Sequence, residues 1–197
     1  MKLNLLEVPL PMRFRPDTPM TDDELQRLCE FNDILWIERE ADGWIRVNPI
    51  TGCRVSSVSA AIGAELSRWT DQDGRGKAFS CSGFILPDTS MLGCHLAWMF
   101  NERWQSLSRE EQRSFAPRYP DFVIEILSPF DKLADLEVKM ELWIANGAQV
   151  AWLIDPEREA VQVYKRGEPV EVLEHPSSVQ GTGPVVGFEL EMETLWD

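Results

Sequence analysis

A glutamate inside an otherwise apolar strand constrains this chain more than any other feature. Phe122 to Leu127 reads Phe-Val-Ile-Glu-Ile-Leu, a β-prone run bounded by Pro120 and Pro129 and long enough for one strand. Glu125 stands at its middle. An ionised carboxylate buried on both faces of a sheet would cost several kcal/mol without partners. Two arrangements are open. Either this is an edge strand with Glu125 turned to water, or a central strand whose carboxylate meets a cation, a metal or a hydrogen-bond network.

The segment beyond this strand favours the central position. Leu133 to Asn146 has helical composition, with Leu136, Met140, Trp143 and Ile144 spaced to form one apolar face. Ser128 or Asp131 can cap its start, and Gly147 stands where a left-handed C-terminal residue is expected. Val150 to Ile154 is a second short apolar run, stopped by Asp155-Pro156. Strand, helix and strand with short connections form a βαβ crossover, which makes the two strands parallel. Parallel strands are normally covered on both faces. An inward, partnered Glu125 is therefore expected.

At 197 residues the chain is long enough for one domain with a substantial core. It contains no apolar run of about 18 residues, the length that would read as a membrane span. The opening Met1-Lys2-Leu3-Asn4-Leu5-Leu6-Glu7 lacks the apolar stretch of a signal peptide, so the cytoplasm is the expected compartment. Cys29, Cys53, Cys81 and Cys94 form no CxxC pair and read as reduced, mostly buried thiols. A net charge of −14 argues against a broad nucleic-acid-binding surface, which would normally be basic. It leaves room for a local positive groove from Arg109, Arg113, Arg118, Lys132 and Lys139, and it suits a site that gathers divalent cations.

Residues 1–20, with four prolines, form an expected arm, and 21–197 the domain. Thr21-Asp22-Asp23-Glu24 is a capping box opening a short helix. Ile34 to Glu38 and Trp44 to Asn48 flank a hairpin turn at Ala41-Asp42-Gly43. Ser56 or Ser57 caps a longer helix to about Trp69. Ala78 to Leu86 and Leu96 to Phe100 read as strands, and Ser108-Arg109-Glu110-Glu111 opens another short helix. Ala160 to Tyr164 pairs back on the second parallel strand, and two short strands come after it near Val170 to Leu173 and Phe188 to Leu190. The fold class is α+β. Trp36, Trp44, Trp98, Trp143 and Trp152 read as core rather than as ligand-stacking residues. No GxSxG, P-loop or strand-borne GxGxxG is present, so serine hydrolase, NTPase and dinucleotide-binding readings fall away.

Together, Ser82-Gly83-Phe84-Ile85-Leu86-Pro87, Trp98, Pro120 to Pro129, Asp135, Lys139, Trp143, Asn146-Gly147 and Trp152 to Pro156 resemble the Uma2 family, also called DUF820. The resemblance covers roughly residues 20–195. It implies a restriction-endonuclease-like (PD-(D/E)XK) mixed β-sheet core with flanking helices and a central βαβ unit. It also implies a DNA endonuclease that uses a divalent metal, magnesium or manganese, held by acidic residues beside a lysine. Glu125 matches the strand glutamate. Leu127 occupies the usual lysine position, which suggests that Lys139 on the following helix serves instead. Asp121 and His95 would be supporting metal ligands. Aligned on Trp98, Cys94-His95 replaces the family's Pro-Asp, so the first metal carboxylate is a histidine here. Imidazole suits manganese, zinc or nickel better than magnesium, which favours hard oxygen ligands.

Three plainer readings stand beside these. Asp135 and Lys139 could be an ordinary i, i+4 pair, Asp121 a loop residue opening the strand, and His95 a strand residue without a metal. A degenerate nuclease fold acting as a nucleic-acid-binding or assembly module is the alternative function. A homodimer is expected by analogy, because two sites suit the two strands of a duplex. Were Glu125 buried among acidic neighbours without metal, Glu125→Gln would stabilise the protein by removing like-charge repulsion.

Overall fold

The computed structural model describes residues 9–196. Met1 to Glu7, where a leader's apolar stretch was sought, lie outside the described residues. The described part of the expected arm contributes a strand, β1 (Met12–Phe14), which pairs antiparallel with Ile45–Val47. Helix α1 (Asp22–Glu30) opens on the expected capping box: the Thr21 hydroxyl accepts the Glu24 N–H, and the Glu24 carboxylate accepts the Thr21 N–H. Strands β2 (Trp36–Arg39) and β3 (Ile45–Asn48) form the first hairpin.

Helix α2 (Cys53–Asp73) begins a turn earlier than the serines suggest, with Gly52 at its N-cap. The Ser56 N–H already donates to the Gly52 carbonyl, and Val55 is buried, so the apolar stripe rather than the serine hydroxyl sets the start. Strands β4 (Gly76–Ile85) and β5 (Met91–Phe100) form a long hairpin, and β5 runs well upstream of the expected Leu96. After α3 (Asn101–Gln105), the Ser108 box opens only a single 3-10 turn, Glu111–Arg113.

The crossover forms as expected. Strand β6 (Phe122–Ile126) pairs parallel with β7 (Val150–Asp155), from Phe122↔Val150 to Ile126↔Ile154, and α4 (Leu133–Ala145) joins them. The expected cap residues do not cap α4. Asp131 instead accepts the Ser128 N–H, and Lys132 stands at the N-cap without a side-chain bond. Gly147 has φ 129°, and a Cβ there would lie 2.6 Å from the Tyr119 ring, so both conformation and space require glycine. Strands β8 (Ala160–Lys165) and β9 (Glu171–Glu174) extend the sheet, while β10 (Ser178–Gln180) and β11 (Glu189–Glu191) pair apart from it.

The main sheet runs β1-β3-β2-β5-β6-β7-β8-β9, with β4 on the other edge of β5. Helix α2 covers one face through Val55, Val58, Ile62 and Leu66, against Phe122, Ile124, Ile126, Trp98 and Trp152. Helix α4 covers the other through Met140 and Trp143, against Val123, Ala151 and Leu153. Every residue of β6 and β7 is buried, and each apolar side chain so removed from water contributes about 1.5–3 kcal/mol. No helix of the described residues is long and apolar enough to cross a membrane.

Candidate functional site

A fork in the sheet creates the site. Strand β4 follows one edge of β5 along its length, whereas two strands share the opposite edge. There β2 meets β5 at Arg39↔Met91, and β6 meets it from Leu96 to Trp98. Between these contacts β5 has no strand partner on that edge, and a side chain takes the exposed Gly93 donor. The Gly93 N–H donates to Glu38 Oε1 at 2.9 Å. The Ile126 N–H points at the His95 ring, 3.3 Å from Nδ1.

The β5 backbone is irregular here. Cys94 and Ala97 belong to the α4-side core, yet Leu96 and Trp98 belong to the α2 side, so strand alternation reverses across His95. Cys81, which the register sets opposite His95, has φ 48°, a conformation costing a non-glycine residue about 1–2 kcal/mol. The local irregularity places His95 against Glu125 rather than in a regular ladder position.

Four polar groups from four elements meet at this fork. Glu125 Oε2 lies 2.8 Å from His95 Nδ1, and Glu125 Oε1 lies 2.8 Å from Lys139 Nζ on α4. The same ammonium lies 2.7 Å from Glu38 Oε1 on β2. Indole N–H groups support both acids, Trp36 donating to Glu38 at 3.3 Å and Trp143 to Glu125 at 3.4 Å. Trp36 also packs its ring 5.6 Å from that of His95. It fits because residue 93 is glycine: a Cβ there would lie 2.7 Å from the indole.

Glu125 is 2 % exposed. Burial alone would push its carboxyl upward, but the Lys139 charge and the His95 hydrogen bond outweigh burial and hold it at about 2. Burial likewise opposes the Lys139 charge, and Glu125 and Glu38 together raise its pKa above the ordinary lysine value. Since a carboxylate can only accept, the short contact to Glu125 requires the proton on His95 Nδ1. The Ile126 N–H then receives no lone pair from that atom. Nε2 remains the ring nitrogen available to a cation, and a carboxylate bonded to the other nitrogen is how metal-binding histidines are usually oriented.

The cluster lies in a cleft of about 680 Å³, walled by Arg13, Glu40, Arg46, Lys132 and Asp135 and rimmed by Ile50 and Phe130. Arg13 and Arg46 both pair with Glu40, and Arg46 reaches Asp135 at 3.4 Å. The expected arginine groove is not part of this cleft. Arg109 and Arg113 line a separate hollow together with Arg27 and the acids Asp22, Asp23, Glu30 and Glu110.

A family model described as "Putative restriction endonuclease", Uma2, matches residues 22–193. The chain belongs to the Uma2 family. A crystal structure described as a "putative nuclease belonging to DUF820", from Anabaena variabilis ATCC 29413, matches with a TM-score of 0.75 and 21 % identity. That match covers 90 % of this chain and 98 % of the other, and at this identity it speaks to the fold. A DrdV–DNA complex matches with a TM-score of 0.41 and 18 % identity, over 63 % of this chain and 10 % of that one. No curated protein matches the chain.

The residues expected from the Uma2 resemblance divide into two groups. Glu125, Lys139 and His95 come together, with Glu125 on a central strand rather than an edge. Asp121 does not join them. It precedes β6, roughly 13 Å from Glu125 along an extended chain, and its carboxylate is 0 % exposed. Arg103 binds it at 2.9 Å, and the Phe100 N–H and the Gln149 amide also donate to it. Its task as a metal ligand is corrected on that ground: every approach is filled by donors from other segments. Asp135 is not paired with Lys139 either, since Lys139 turns inward and Arg46 takes Asp135.

Glu38 was missed. It ends the first strand of the expected hairpin, with no apolar run around it to make a charge stand out, yet it is 4 % exposed. Trp36 and Trp44 also differ from expectation. Trp36 lines the cleft, and Arg13 lies 5.1 Å over the Trp44 ring. Of the cysteines, Cys94 is buried and Cys29 partly so, but Cys53 and Cys81 are exposed.

Proposed function

We propose that this Uma2 protein is a divalent-metal-dependent DNA endonuclease, with Glu38 and Glu125 holding the ion, His95 hydrogen-bonded to Glu125, and Lys139 beside it. One observation carries the reading: two carboxylates, an imidazole and an ammonium converge at the floor of an open cleft. The two carboxylates are hard oxygen donors, which suit manganese or magnesium completed by water. A bound ion would supply charge neutralisation on the scissile phosphate and a water of lowered pKa.

The chain's own residues do the rest. Gly93 N–H and the Trp36 indole fix the Glu38 carboxylate, and Trp143 and Lys139 fix Glu125, so both acids are held before substrate arrives. Glu125 accepts the Nδ1 proton of His95 and so orients the ring. Lys132 and Arg46 on the cleft wall offer positive charge to a polynucleotide backbone in a chain that is otherwise acidic. Cleavage of both duplex strands would pair two copies, which sedimentation at working concentration would detect.

The test is nicking of supercoiled plasmid by wild type and Glu125→Gln in manganese, magnesium and chelator. Manganese-dependent nicking by wild type, lost in the variant, is expected. Nicking that persists in chelator or in the folded variant would sink the reading. No nicking with any ion, while manganese still binds, would instead leave the catalytically degenerate binding module.

A further inference from the structure

The floor of the cleft already contains a cation. Lys139 Nζ sits between Glu38 Oε1 and Glu125 Oε1, at 2.7 and 2.8 Å, and its side chain is 16 % exposed. Among the described residues, no three His, Cys, Asp or Glu side chains stand in an arrangement that could hold a metal ion. Two oxygens from different strands, Glu38 Oε1 and Glu125 Oε1, do converge, and the ammonium stands between them.

We propose that Lys139 is the counter-ion of the metal-free site and that a divalent ion binds by displacing it from between Glu38 and Glu125. The inference rests on the metal-binding reading of the cluster. The Glu38 and Glu125 carboxylates and the Lys139 ammonium together sum to one negative charge. An ion bound there together with the ammonium would carry three positive charges against two negative. Displacement relieves that excess. The departing ammonium can share Asp135 with Arg46, since Asp135 lies one helical turn earlier and is half exposed, in the favourable acid-before-lysine order. Lys139 thus holds the two carboxylates together before loading and stands at the ion's edge, free for a substrate phosphate, afterwards. Metal affinity is lower than the ligand set alone would give, since each ion must compete with a resident charge.

Calorimetric titration of manganese chloride into wild type and Lys139→Met tests this. The variant is expected to bind manganese at least tenfold more tightly. Its melting temperature should fall below that of wild type in chelator and rise further than that of wild type on adding manganese. Equal or weaker binding by a folded variant would overturn the inference while leaving the metal reading intact. Absence of binding by both proteins would overturn the metal reading as well.

Should Lys139→Met fail to fold, wild type answers alone. Acetylation by an N-hydroxysuccinimide ester, read by peptide mass spectrometry, should spare Lys139 in chelator and modify it in saturating manganese. Identical modification in both conditions would overturn the proposal.

Discussion

Asp121 and Glu125 stand at the two ends of β6, both almost free of solvent, and differ in what surrounds them. Asp121 is enclosed by Arg103, Gln149 and the Phe100 N–H, and Arg103 is itself held 4.1 Å over the Tyr119 ring. Those donors fasten α3 and the loop before β7 to the strand. Glu125 is bound by Lys139 and His95, both of which line an open cleft. Burial and charge alone therefore do not mark a site. The partners of Asp121 enclose it, whereas the partners of Glu125 also face the cleft.

Removing Asp121 should produce the largest loss of stability. Asp121→Ala leaves the Arg103 guanidinium, the Gln149 amide and a buried backbone N–H without their acceptor, at a cost of about 3–4 kcal/mol. Urea denaturation would measure it. Manganese affinity of the folded fraction should not change, and a loss of affinity would show that the two ends of β6 are not separate in function.

Glu125→Gln should reverse that pattern, with a smaller stability loss of about 2 kcal/mol and abolished manganese binding. The sequence-based expectation of a stabilising change rested on repulsion from acidic neighbours, whereas the groups bonded to Glu125 are the Lys139 ammonium and the His95 N–H. The pH dependence gives a second measure. The Glu125 carboxyl is depressed from an ordinary 4.5 to about 2, so its contribution is complete above pH 4.5 and drains as pH falls towards 2. The amount is on the order of 3 kcal/mol. Lys139 acts at the other limit. Its raised value keeps its contribution complete below 10.5, to be lost only as pH rises through the higher folded value. Denaturation between pH 7 and 3 should show a steeper acid loss for wild type than for the variant. Parallel curves would mean that Glu125 is not the acid-sensitive group.

The same contrast explains what was legible in the chain. The crossover was readable because its signals are local: an apolar strand, a helical stripe through Met140 and Trp143, and a second apolar run. Glu125 was readable because a charge breaks an apolar pattern. Asp121 was ambiguous because four residues of extended chain place two acids on one side without saying which donors fill the space between. Glu38 was unreadable because Glu38-Arg39-Glu40 looks like a solvated strand end. Its burial comes from the Gly93 N–H, 55 residues away, and from Lys139. Nor could the pattern show β1 or the fork in β5, since both depend on which strand edges are left unpaired.

His95→Asp should have the smallest effect on stability and sharpens the comparison at the open end of β6. An aspartate at this position faces Glu125 Oε2, where wild type has an imidazole N–H at 2.8 Å. It would exchange a hydrogen-bond donor for a third negative charge, with Lys139 the ammonium already committed to the other two. In chelator the variant should lose about 1 kcal/mol, and its acid sensitivity should shift to higher pH, because repulsion favours protonation. In magnesium the sign reverses. A set of three carboxylates is the hard oxygen site that magnesium prefers, so magnesium affinity should rise at least tenfold and melting temperature should recover with added ion. Plasmid nicking by the variant in magnesium should then exceed that of wild type. Magnesium that neither binds nor restores the melting temperature would show that position 95 does not set the cation, even with Glu38 and Glu125 in place.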